Sequence, residues 1–360
     1  MRKIGKLIGL IALVLAGVVL GVFLILLVVL SVTEYKPEET EPVAHAGQAE
    51  KKLYIGDTVE ILTWNIGFGA LGDNADFFMD GGRMVKPSTE ERVRENIDAI
   101  TDFLAEEAAD LVLLQEVDED ATHSYYLNER TMIAQGLEQD GLSYENRLAY
   151  NFKTLFVPYP IPPIGKVESG VVTFSAYPAA DAQRISLPCP FAYPVRLANL
   201  KRCLLVNRIP IADSERELVV VNFHLEAYDD GEGKAAQTRM LAELLQQEVQ
   251  KGNYVIAGGD FNQTMDTLDL SKYPVQKEGL WQPGVIDTAA FEGFQCLMDE
   301  RLPSCRSLDR PYDREDSSFQ YYVLDGYLVS ENLKLERMET VDLGFVHSDH
   351  NPVRLSVTVE

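Results

Sequence analysis

The chain has 360 residues, 46% hydrophobic, 24% charged and 9% aromatic, which is a globular composition and not a disordered or collagenous one. Its 32 basic and 56 acidic residues give a net charge of −24. With Arg2, Lys3 and Lys6 set aside, 29 basic residues face the same 56 acidic ones, so no global field exists to hold nucleic acid. Histone-like or polyanion-coating roles are excluded; a local basic groove is not.

Residues 7–32 form an uncharged aliphatic run, longer than the roughly 20 residues needed to cross a bilayer as a helix. Basic residues precede it, and Glu34, Glu38, Glu39 and Glu41 follow. The positive-inside rule makes residues 1–6 a cytoplasmic tail, 7–32 a single transmembrane anchor and the rest extracytoplasmic, at the cell membrane. A cleaved signal would have a shorter apolar core, and Ala44-His45-Ala46 is a weak cleavage site far downstream. Both readings export the bulk of the chain. Residues 33–52, rich in Pro, Glu, Ala and Gln, read as a flexible stalk.

Residues 53–360 show no second linker and no repeat, as one large domain would. Residues 59–64 form a strand. Ser88-Thr89-Glu90-Glu91 is a capping box that opens a helix to Ala108, with Val93, Ile97, Ile100 and Leu104 inward. Strands follow at 110–114, 171–175, 203–208 and 218–223. A helix spans 234–250, and further strands span 254–258, 321–329 and 353–357. This mixed order predicts an α/β sandwich. Cys189 and Cys203, and Cys296 and Cys305, lack zinc-site spacing. They could form local disulfides or stay as free buried thiols.

The polar residues that end these strands carry the functional signal. The strands run into Asn65, Gln115-Glu116, His224 and Asp260-Phe261-Asn262. A core requires apolar strands but supplies no packing reason to end so many with one polar set. Ligands of open α/β sheets bind outside the carboxyl ends of strands. Taken singly, Asp325 reads as a turn former and His224 as a structural histidine. His45 and His123 read as stalk and surface. Ser348-Asp349-His350 is no serine-hydrolase triad, because consecutive residues cannot converge on one another. Gly67-Phe68-Gly69-Ala70-Leu71-Gly72 lacks the Lys-Ser/Thr of a P-loop and reads as a mobile loop.

Thr63-Trp64-Asn65-Ile66, Gln115-Glu116-Val117, Asn222-Phe223-His224-Leu225, Gly259-Asp260-Phe261-Asn262, Leu324-Asp325-Gly326-Tyr327 and Ser348-Asp349-His350-Asn351-Pro352-Val353 occur in this order. Together they resemble the endonuclease/exonuclease/phosphatase superfamily, the deoxyribonuclease I-like metal-dependent phosphoesterases. The resemblance implies a four-layer α/β sandwich: two mixed β-sheets face to face with helices outside. It also implies attack of water on a phosphoester assisted by Mg²⁺, with Mn²⁺ as the alternative ion. Glu116, Asp349 and Asn65 would be the metal positions. His350 would pair with Asp325, Asp260 and Asn262 would orient water and a phosphate oxygen, and His224 would reach the phosphoryl or leaving group. Either Asp260 or His350 could be the base. Asp349 and His350 are neighbours, so the loop before Pro352 must turn if both serve one site.

Insertions at 67–86 and 151–166 should rim the pocket. Gly326 stands where the superfamily more often has a bulky residue. Arg83, Lys86, Lys153, Lys166, Arg202 and Arg208 are candidate substrate-binding cations. The expected partners are a phosphoester substrate (a lipid head group, a small phosphodiester, or nucleic acid as substrate only) and the membrane; no obligatory protein partner is implied. The alternatives are an extracellular nuclease and a catalytically silent binding module. A nuclease should show a positive groove beside Glu116, and a lipid hydrolase an apolar rim facing the membrane.

Overall fold

The structure, a computed structural model, describes residues 2–229 and 231–360. Met1, in the expected tail, lies outside the described residues, as do the side chains of Arg2 and Lys3 on which the orientation argument leans. Helix α1 (Arg2–Val32) is unbroken and takes in both the expected tail and the expected span. The chain continues through β1 (Thr40–Pro42), β2 (His45–Gly47), β3 (Thr58–Asn65), α2 (Glu90–Glu107), β4 (Leu111–Asp118) and α3 (Glu129–Gln139). Next come β5 (Glu145–Val157), β6 (Gly165–Ser175), β7 (Asp181–Ser186), β8 (Cys203–Pro210), β9 (Glu217–His224) and α4 (Glu232–Gln250). Strands β10 (Tyr254–Asp260), β11 (Gln263–Met265), β12 (Gly284–Ile286), β13 (Phe294–Leu297) and β14 (Cys305–Arg306) follow. The chain ends with β15 (Tyr321–Tyr322), β16 (Asp325–Ser330), β17 (Leu333–Thr340) and β18 (Val353–Val359).

Two seven-stranded sheets result, ordered β1-β7-β8-β9-β10-β16-β13 and β17-β18-β3-β4-β6-β5-β2. Each is antiparallel except for one internal parallel pair, β9/β10 in the first and β3/β4 in the second. Ile61, Leu113, Val220, Ile256, Tyr327 and Leu355 fill the space between the sheets. Outside, α2 and α3 cover one sheet through Ile97, Leu104 and Ile133, and α4 covers the other through Leu241 and Leu245. This is the expected four-layer sandwich. Leu113→Ala would open a cavity in the fully buried middle layer and should cost about 2–5 kcal/mol. Urea unfolding measures it; a loss well under 1 kcal/mol would place Leu113 outside the core.

Local chemistry explains where the sequence reading and the fold part. The α2 cap is Thr89, whose hydroxyl accepts from the Arg92 amide at 3.3 Å, and Ser88 plays no such part. The strand expected at 321–329 is two: β15 pairs with β14, and only β16 joins the large sheet. The expected stalk holds β1 and β2, which pair with β7 and β5 at the edges of opposite sheets. It is therefore tied to the sandwich by backbone hydrogen bonds and is not a free tether. All four cysteines are free thiols. The Gly67–Gly69 turn is buried, with Gly69 against Ile97, and is not the mobile loop its composition suggested.

Candidate functional site

The parallel pairs explain why the polar strand ends converge. Parallel neighbours finish at the same edge, so His224 and Asp260 stand directly opposite one another, and so do Asn65 and Gln115. The antiparallel β16 begins there with Asp325 opposite Asp260, and β18 begins just after His350. In β4 the register shifts between Leu114 and Val117, and Glu116 adopts φ +54. Such a bulge re-aims side chains. Gln115 goes between the sheets to donate to Asn222 Oδ1 at 2.8 Å, while Glu116 enters the cleft. Asn222 donates in turn to the Leu114 and Val172 carbonyls, which ties the sheets together beneath the site.

Glu116, His224, Asp260, Asn262, Asp349 and His350 line one cleft, and Asn65 and Asp325 support it from behind. Asn65 Nδ2 lies 3.0 Å from Glu116 Oε1 and 3.1 Å from Asp260 Oδ2, and its Oδ1 accepts from the Gly67 amide. Asp260 Oδ1 accepts from the Asn262 amide at 2.8 Å. Asn262 at φ +50 is already past the strand, so a turn and not strand alternation brings it to the cleft. The turn demanded before Pro352 is present. Ser348 Oγ accepts from the His350 amide and donates to the Asn65 carbonyl, while Trp64 Nε1 donates to the His350 carbonyl at 2.8 Å. A Cβ on Gly67 would lie 2.9 Å from Asp349 Oδ1, so glycine permits that approach. Glycine at 326 has a similar reason, since a Cβ would meet the Leu297 carbonyl oxygen at 2.2 Å.

His350 Nδ1 lies 2.8 Å from Asp325 Oδ2. Burial disfavours its charge, but the Asp325 carboxylate, with Asp349 nearby, outweighs burial and raises its pKa well above the ordinary value. Burial, with Arg202 and His350 nearby, pushes His224 well below its ordinary value, and its Nδ1 has no hydrogen-bond partner. Desolvation, then the charge of Asp349, raises Glu116 to about 8, although 28% of its side chain meets solvent through the cleft mouth. Desolvation and Asp325 raise Asp260 to about 6, and burial raises Asp349.

Such uncompensated carboxylates suit a cation. Among the described residues, ligand-type atoms gather within 4.8 Å in two groups, Cys305/Asp349/His350 and Asp260/Asp325/His350, and Glu116 stands outside both. Burial keeps the Cys305 thiol protonated, at about 12, which makes it a poor ligand. Mg²⁺ prefers oxygen and completes its shell with water, so Glu116 and Asp349 remain a chemically suitable pair, while Asn65 turns its Nδ2 to Glu116 and its oxygen to the Gly67 amide and so positions Glu116.

Both insertions rim the cleft as expected, through Phe77, Met79 and Asp80 on one side and Asn151, Phe152 and Ile164 on the other. Of the expected cations only Arg202 reaches it. Lys153 and Lys166 pair with Glu168, Arg208 pairs with Glu248, Lys86 lies over the Tyr125 ring, and Arg83 does not line the cleft. His123 is not a surface residue: it lines the cleft, 2.7 Å from Asp118 and packed at a tilt against the Phe68 ring. Sequence reasoning missed Arg306, which is fully buried, and Asp80, which hydrogen-bonds Tyr228 and is raised to about 7 by desolvation and Asp349. No local pattern marks either residue; the count of acids in the 67–86 insertion was the only available hint.

Comparison with known proteins places this geometry. Residues 62–350 match the model of the Endonuclease/Exonuclease/phosphatase family. A structure of an endonuclease/exonuclease/phosphatase from Beutenbergia cavernae DSM 12333 aligns with TM-score 0.59 at 18% identity, over 84% of this chain and 72% of that one. A family protein from Leptotrichia buccalis C-1013-b gives 0.52 at 17%, over 83% and 99%. The human Nocturnin catalytic domain with bound sulfate gives 0.51 at 15%, over 88% and 98%. At these identities the structural likeness speaks for the fold. No curated protein matched the sequence.

Proposed function

The chain belongs to the Endonuclease/Exonuclease/phosphatase family, whose members are metal-dependent phosphoester hydrolases, and from that premise we propose that it is a membrane-tethered, extracytoplasmic Mg²⁺-dependent phosphoesterase. Its substrate in this reading is a lipid head group or a small phosphodiester. The observation that carries the proposal is the convergence of Glu116, Asp349, His224, Asp260 and the His350–Asp325 pair on one cleft from four strands and the loop before β18. A silent binding module would need no such set. The catalytic domain in this reading is residues 53–360 together with the edge strands β1 and β2, with α1 as its anchor.

Glu116 and Asp349 would hold the ion, with Asn65 positioning Glu116 through its Nδ2. Bound there, Mg²⁺ would polarise the phosphoryl oxygens and offset charge that builds up in the transition state. Asp260, fixed by Asn65 and the Asn262 amide, is placed to orient a water and accept its proton. His350, whose ring Asp325 fixes and whose proton affinity it raises, is placed to stabilise the phosphoryl oxygens. His224, neutral and with a partnerless Nδ1, serves as a hydrogen-bonding group to phosphoryl oxygen or leaving group. Among the described residues only two cationic side chains besides histidines line the cleft, Arg202 and Arg306, and both are buried. That does not make the positive groove a nuclease would present.

Full-length protein incubated with a panel of phosphomonoesters, phosphodiesters, phospholipids and single- and double-stranded DNA should cleave a phosphoester with Mg²⁺ and lose the activity in EDTA. Metal-independent turnover, or none, would reject the reading. A second test uses the raised carboxylates. In metal-free protein they favour the fold below their ordinary values, and that benefit is lost as pH rises through about 6 for Asp260 and about 8 for Glu116. Mg²⁺ held by Glu116 would displace its proton, so the Tm gain from a fixed Mg²⁺ concentration should grow from about pH 5 to about pH 8. A gain that is flat or falls with pH would remove Glu116 from the metal site.

A further inference from the structure

Two segments of the sandwich that adjoin elements in contact with α1, 155–164 and 191–195, carry exposed large apolar side chains. Ile161 is 94% exposed, Tyr159 69% and Val195 59%, with Leu155 and Tyr193 also open. The second segment is fixed to the end of α1. Tyr193 Oη lies 3.3 Å from Ser31 Oγ, and Arg196 and Lys201 both pair with Glu34. Strand β5, which leads into the first segment, also contacts α1.

Helix length says where this assembly sits. The uncharged run 7–32 spans about 39 Å at the helical rise, against a hydrocarbon core of about 30 Å. Roughly six residues are therefore in excess. The side chains described from Ile4 to Leu20 are exposed, whereas Leu26, Leu27 and Ser31 are partly covered and Leu30 is 6% exposed. The sandwich thus clasps the overhang, which puts the two segments at the level of the bilayer surface. Their composition suits that level, since tyrosine favours the interface and aliphatic side chains enter it. A run of aromatic contacts joins this surface to the cleft: Phe68–Phe77 at 6.4 Å, Phe77–Phe78 at 4.9 Å and Phe78–Tyr159 at 5.9 Å.

We propose that residues 155–164 and 191–195 form a second membrane contact that seats the cleft against a lipid surface, where a phospholipid head group is presented to it. The inference rests on the tethered reading above. The contact is apolar in nature, since the surrounding domain is too acidic to be drawn to anionic lipid.

The test uses the full chain in phosphatidylcholine nanodiscs, with and without bromine on the acyl chains near the head group. Ile161→Trp should add emission that bromolipid quenches by about half or more, as expected for insertion of a few ångströms. Ile161→Trp carrying Val195→Asp should lose part of that quenching. Added emission that bromolipid leaves unchanged, or quenching indifferent to Val195→Asp, would overturn the proposal. Turnover of soluble bis(4-nitrophenyl) phosphate by the same samples reports separately on hydrolysis. If the wild type fails there while residue 161 is quenched, the phosphoesterase reading falls and the membrane contact stands.

Discussion

His350→Ala is expected to lower kcat by on the order of 10²–10³ with little change in KM, because the imidazolium acts where charge builds up on the transferring phosphoryl group. The geometry concentrates the effect. Its ring is fixed through Nδ1 to Asp325 at 2.8 Å, and its Nε2 faces Asp260 at 3.8 Å. Asp325→Asn should act in the same direction but less, since it loosens the ring and weakens the charge without removing either. In a double-mutant cycle the two losses should be clearly non-additive. Additive losses would give Asp325 a task of its own and end the pairing as a mechanistic unit. Steady-state kinetics on any substrate that the panel identifies suffices.

Glu116→Gln is the second large effect. The amide keeps the volume and the contact with Asn65 but removes the charge that holds Mg²⁺. The Mg²⁺ concentration for half-maximal rate should rise by roughly 100-fold or more, beyond what changes outside the ligand set cost. The fold should be kept, because the bulge is fixed by Gln115 and by backbone pairing on either side of residue 116. Near-UV circular dichroism unchanged from wild type checks that point. A Mg²⁺ requirement equal to that of the wild type would take Glu116 off the ligand list.

Much of this site could be read in the sequence because its residues end strands. Asn65, His224 and Asp260 follow apolar runs whose length and β-branching announce them, and the two parallel pairs carry those ends to one edge. What could not be read depends on long-range packing. Asp80 and Arg306 come from loops that only the finished sandwich folds over the cleft. His123 looked like a surface residue because its partners Asp118 and Phe68 arrive from β4 and from the buried turn after β3. Strand β5 went unrecognised because register shifts at 150/152 and 154/157 break its alternation. The edge strands β1 and β2 are each three residues long, too short for any periodicity, and their backbone partners lie more than 90 residues away.

The most direct measurement of the central claim follows the oxygen of the attacking water. Hydrolysis of bis(4-nitrophenyl) phosphate by the full chain in ¹⁸O-labelled water with Mg²⁺ should place a single ¹⁸O on the phosphorus-containing product and none on the released 4-nitrophenol, with no incorporation in EDTA. Label in the phenol, incorporation that persists in EDTA, or the absence of any cleavage would contradict metal-assisted attack of water on phosphorus at this cleft.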